Sequence, residues 1–174
     1  MLKKDKMAFL DFVSGDTDRM RLALAHFASQ EAGHFEDHPP SLSLVRSHIT
    51  DLVRLWNSET DPECRSWIVQ FIADAGVVDS TLKPIVLSAL RDVQGQFLPT
   101  LLYLVGTMPV LFTDIGPELS VLARHSDREV RWRVAYVISK MKILSPEMRT
   151  AVAILRNDRD PTTEVYVQEC EKRA

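Results

Sequence analysis

The chain has 174 residues, 45% of them apolar and 26% charged, the composition of a soluble globular protein and not of a disordered one. Lys and Arg number 21 against 24 Asp and Glu, for a formal charge of -3. That balance argues against a uniformly cationic nucleic-acid binder, and no apolar run approaches the ~20 residues of a membrane span.

The length fits a single domain over 1–174. At the start, Lys3, Lys4 and Lys6 precede an apolar run broken by Asp11, which does not read as a secretory signal. Phe9, Leu10 and Val13 predict a first short helix. Ser14-Gly15-Asp16-Thr17 follows as a turn, and a second helix runs from Met20-Arg21 through Phe27, giving a helical hairpin over about 5–30. Residues 31–43 read as an insert loop, because the paired Pro39-Pro40 cannot sit inside a helix. Four more hairpins are expected over about 44–76, 82–109, 115–142 and 146–174. Asp61-Pro62, Ser145-Pro146 and Asp160-Pro161 each place an N-cap before a proline at the first helical position. Leu82-Lys83-Pro84 and Gly116-Pro117-Glu118 also open helices, and Gly76 ends one. Val77-Val78 and Val110-Leu111-Phe112 are too short for strands and read as buried turns. About ten helices in five pairs result. Cys64 and Cys170 are distant in sequence and form no CxxC, which suits a reducing cytoplasm.

The turns of the last four hairpins begin at Asp61, Gln94, Asp127 and Asp160, each 33 residues after the one before. Three positions on stand Cys64, Phe97, Val130 and Thr163; seven on, Ile68, Leu101, Val134 and Val167; eleven on, Ile72, Val105, Ile138 and Glu171. Those offsets define one helical face. It is apolar in three copies and is expected to be lost at Thr163 and Glu171, as in a terminal repeat with no neighbour to cover it.

The best copy, residues 122–135, contains Asp127 in the turn and Val130-Arg131 at the helix opening. It resembles a short bacterial HEAT repeat and is similar to the HEAT-like repeats first recognised in phycobilisome lyases. Asp61 with Cys64-Arg65 matches less closely, as does Thr17 with Met20-Arg21. The copy at Gln94 lacks both the Asp and the Arg, and the last has Glu164 where Arg is expected. The resemblance implies an all-α fold, a short right-handed α-solenoid of about five hairpins. It implies a scaffold that binds a partner protein and no fixed chemistry.

In such a stack the second helix of each pair lines a concave face. Nine positions after each turn start stand Gln70, Tyr103, Tyr136 and Glu169, with His26 as their counterpart in the first hairpin. Trp132, Tyr136 and Lys140 share one helix face at four-residue spacing, apart from the face of Val130, Val134 and Ile138. Partner binding is therefore expected at Trp132, Tyr136, Lys140, Tyr103, Arg133, Gln70 and Arg128. Trp132 reads equally as packing against the next repeat. Asp127, Arg131, Arg21 and Arg65 read as caps or inter-repeat bridges, and Trp56, Trp67 and Phe71 as packing.

No GxSxG, Walker-type loop, HExxH or GxGxxG occurs, so no catalytic set is expected, and neither a cofactor nor a metal. His34, Glu36, Asp37 and His38 read as a solvated loop, and His26, His48 and His125 have no matched partners. Cys64 reads as a small core residue. The reading favoured is a non-catalytic interaction module, such as an adaptor or a bacterial toxin-neutralising immunity protein. A nucleic-acid or DNA-repair role is the alternative. It rests on Arg124, Arg128, Arg131, Arg133, Lys140 and Lys142 with Trp132 and Tyr136 interleaved. A phycobilin-lyase-like factor is a third, for which the repeat resemblance alone speaks.

Overall fold

The computed structural model describes residues 3–29, 42–58, 61–75, 80–92, 95 and 97–173. Among these residues every regular element is helical, and no strand occurs. The cluster His34–His38, the Pro39-Pro40 pair, Gly76 and Val77-Val78 lie outside them. The chain divides into two compact units, residues 1–85 and 86–174.

The first unit holds α1 (Lys3–Val13), α2 (Thr17–Ser29), α3 (Leu42–Ser47), α4 (Ile49–Ser58), α5 (Pro62–Ala75) and the start of α6 (Lys83–Arg91). Helices α1 and α2 lie along one another, as the first expected hairpin requires. The turn between them needs Gly15, whose φ of 75° lies in the left-handed region that side chains disfavour. The core is aromatic: Phe9, Phe12, Phe27 and Phe71 are buried and meet edge to face, with ring centroids 5.0–5.9 Å apart. Trp67 lies 4.9 Å from Phe27, so both Trp67 and Phe71 pack as expected. Trp56 is half-buried under the Arg65 guanidinium, 5.0 Å from its ring.

One helix more than expected arises at His48. The backbone N–H of His48 bonds the Val45 carbonyl, a tight three-residue turn, and its ring pairs with Asp51 at 2.9 Å. The helix predicted from residue 44 is thereby split, and it begins at Leu42, inside the expected insert. His48 also lies edge-on to Phe9, so the expectation that it has no partner is overturned.

The second unit holds the end of α6, then α7 (Leu98–Thr107), a 3-10 turn (Pro109–Phe112), α8 (Gly116–Leu122), α9 (Arg128–Lys140), α10 (Pro146–Leu155) and α11 (Pro161–Glu171). Helix α9 packs against both α7 and α11, while α8 packs against α10. The stripe read at offsets three, seven and eleven faces the core here: Val130, Val134 and Ile138 are buried, as are Leu101, Val105 and Val167. Thr163 departs from its expected exposure. It is fully buried, and its N–H and hydroxyl both reach the Asp160 carboxylate, which lets a polar side chain stay in the core. Glu171 does turn outward, to Arg156. Val110-Leu111-Phe112 forms the 3-10 turn, but only Phe112 is buried; Val110 is 75% exposed.

Candidate functional site

Helix α9 is positioned by its ends. Asp127 caps it, its carboxylate accepting the Glu129 N–H at 2.8 Å. His125 in turn accepts the Asp127 N–H through Nδ1 at 3.0 Å, so this histidine too has a partner. Arg131 reaches back to the carbonyls of His125 and Ser126 and across to Asp158 at 2.6 Å. That bond holds the Asp158 carboxyl below the usual carboxylate range and raises the Arg131 guanidinium. At the far end, Arg173 donates to the carbonyls of Ser139 and Met141. Asp127 and Arg131 thus act as cap and bridge, as their place at the turn suggests.

With the helix held in this way, its outer residues gather with those of α7 and α11. The Tyr103 and Tyr136 rings stack 5.9 Å apart, at 14°. Tyr136 meets Tyr166 edge to face at 5.5 Å, and Tyr166 stacks on Trp132 at 6.3 Å. The Arg133 guanidinium closes the circuit, 4.7 Å from the Trp132 ring and 5.9 Å from that of Tyr103. Lys140 lies over the Tyr136 ring at 5.2 Å. Tyr103 is 53% exposed, while Trp132, Tyr136 and Tyr166 are half-buried. Trp132 therefore both packs across the helices and shows a face to solvent. Burial, with the neighbouring phenols of Tyr103 and Tyr166, pushes the Tyr136 phenol up.

Five of the seven expected residues are brought together: Trp132, Tyr136, Lys140, Tyr103 and Arg133. Arg128 turns away to the turn before α11, where it pairs with Asp160 at 3.2 Å. Gln70 lies on α5 of the first unit and is half-buried. Tyr166 is not among the expected residues, because the expected row uses matched offsets and falls on Glu169 on this helix. The available signal is that Tyr166 stands 33 residues after Arg133, itself an expected site residue.

The cations of α9 are largely spoken for. Arg133 pairs with Glu129 at 2.7 Å, Arg131 with Asp158 and Arg128 with Asp160. The Arg133 Nε–H is buried and has no hydrogen-bond acceptor among the described residues. It lies instead among ring faces, which attract a guanidinium electrostatically. Both cysteines are buried, and burial pushes the Cys170 thiol up to about 11, far from the reactive thiolate range. Among the described residues no three His, Cys, Asp or Glu side chains gather as metal ligands would. Nor is any described helix long and apolar enough to cross a membrane. Compared with known protein families and with characterised proteins, the sequence matches none.

Proposed function

We propose that this chain is a non-catalytic protein-binding module of HEAT-like helical hairpins. A partner protein is held on the face formed by Tyr103, Trp132, Tyr136, Tyr166 and Arg133. What supports this reading most is the aromatic circuit itself. Tyr, Trp and Arg are the residues that dominate binding hot spots, being large, rigid and able to present both apolar area and a polar tip. Here they are held by stacking on one another, so little conformational freedom is lost when a partner covers them. An intracellular adaptor and a bacterial toxin-neutralising immunity protein are two forms this function would take. The resemblance to lyase-type repeats gains nothing further from the geometry.

The test compares the chain with Tyr103→Ala and Trp132→Ala variants as bait in extracts of the native host. Loss of a specific companion from both variants, with the helical circular dichroism unchanged, supports the reading. Equal recovery of that companion by all three proteins would refute it.

A further inference from the structure

A groove of about 430 Å³ opens where α7 passes into the 3-10 turn and α9 into the segment before α10. Pro109, Val110, Met141 and Ile143 supply its apolar lining, and Lys140 and Lys142 stand on it. Isolated exposed aliphatic side chains are ordinary. Here Val110, 75% exposed, and Ile143, 85% exposed, line one cavity, beside two ammonium groups. Neither lysine makes an ion pair among the described residues. The nearest acidic residues in sequence, Asp114 and Glu147, do not line the groove, and the Glu147 carboxylate accepts the Ser145 hydroxyl at 2.7 Å. The groove is thus mainly apolar in its walls, with Thr113 and Ser145 as their polar members, and positive at its edge. Its volume falls within the range of about 300–1,000 Å³ typical of small-molecule sites.

We propose that this groove binds a small organic anion with an aliphatic body. The chain of such a molecule lies against Val110, Met141 and Ile143, where its burial removes apolar surface from water. Its carboxylate meets the ammonium groups of Lys140 and Lys142, a charge-assisted contact. Lys140 also lies over the Tyr136 ring, but Lys142 and Ile143 take no part in the aromatic circuit, so this site does not depend on the protein-binding reading.

Decanoate, decanol and decyltrimethylammonium, each titrated below its micellisation concentration into the full chain by calorimetry, test the assignment. Decanoate is expected to saturate at one molecule per chain and to bind at least about tenfold tighter than either other amphiphile. Lys142→Gln removes most of that preference, and Ile143→Asp abolishes binding. Tyr103→Ala leaves binding unchanged. Both groove residues are exposed, so circular dichroism will show these variants folded. Absence of saturable decanoate binding, equal affinity for all three amphiphiles, or indifference to both groove substitutions overturns the proposal. So does binding of an acidic leucine-containing peptide without decanoate, which would assign the groove to a polypeptide.

Discussion

Gly106 is the residue on which the aromatic circuit presses hardest. A methyl group there would meet Cδ1 of Tyr136 at 2.9 Å and Cε1 closer still, so the ring lies directly on the backbone of α7. Alanine ordinarily gains up to ~1 kcal/mol over glycine inside a helix. Displacing a packed ring costs about 1–3 kcal/mol, so Gly106→Ala is expected to destabilise, lower Tm and weaken the near-ultraviolet tyrosine signal. In a Tyr136→Ala background the same change should turn neutral or stabilising. A sign that fails to reverse in this double-mutant cycle would mean that the ring is not what opposes the methyl. A second residue-scale expectation concerns Arg131 and Asp158. The Asp158 side chain is 10% exposed and its carboxyl is lowered, chiefly by the Arg131 hydrogen bond. A lowered carboxyl contributes stability that is present above its unfolded value of ~3.9 and is lost as pH falls through the folded value. Urea unfolding from neutral pH downward should therefore show an acid-side loss that is shallower in Arg131→Gln. At neutral pH that variant should be less stable by roughly 1–2 kcal/mol, because the half-buried Asp158 carboxylate loses its charged donor and keeps the Asp160 N–H.

The helices differ in how their ends are secured, and the caps predict unequal costs. Asp127 is exposed and serves one N–H of α9, so Asp127→Ala should cost about 1 kcal/mol. Asp160 is buried, accepts the N–H groups of Thr162 and Thr163, and pairs with Arg128. Asp160→Ala should cost roughly 2–3 kcal/mol, since it also strips the acceptor from buried Thr163. Chemical denaturation of both variants checks the order, and equal losses would deny Asp160 its role in the core. Much at this scale was legible in the sequence. Burial of Val130, Val134 and Ile138 follows from spacing along one helix, a local property that the chain carries wherever its neighbours lie. The Asp-Pro and Ser-Pro starts were legible for the same reason. Tyr166, the wedged Arg133 and the break at His48 were not. Each depends on which side chain of one helix reaches a ring or carboxylate on another residue, and matched offsets do not encode that reach. Thr163 shows the limit from the other side: its polarity suggested exposure, and a carboxylate three residues earlier makes its burial tolerable.

Across the whole chain, 21 basic side chains stand against 24 acidic ones, and what matters for binding is how many cations remain available. Around α9 six cations follow one another from Arg124 to Lys142, the feature that a nucleic-acid reading would use. Arg128, Arg131 and Arg133 each hold a carboxylate, and Arg124 donates to the Ser120 carbonyl at 3.2 Å. Arg124, Lys140 and Lys142 are the members of this run that pair with no carboxylate among the described residues, and Lys140 already lies over Tyr136. A phosphate approaching the arginines would have to displace bonds as short as the 2.6 Å contact of Arg131 with Asp158. Duplex affinity falls with salt at a slope of about −0.9 for each phosphate neutralised, and specific binders make many such contacts. With three cations free of carboxylates, the expected slope is no steeper than about −3, and no retardation of a DNA duplex should remain near 0.1 M salt. Mobility shifts across a salt series measure this directly. A slope of about −5 or steeper would show that the paired arginines release their carboxylates to phosphate, and would favour base stacking on the aromatic circuit over the protein contact proposed for it.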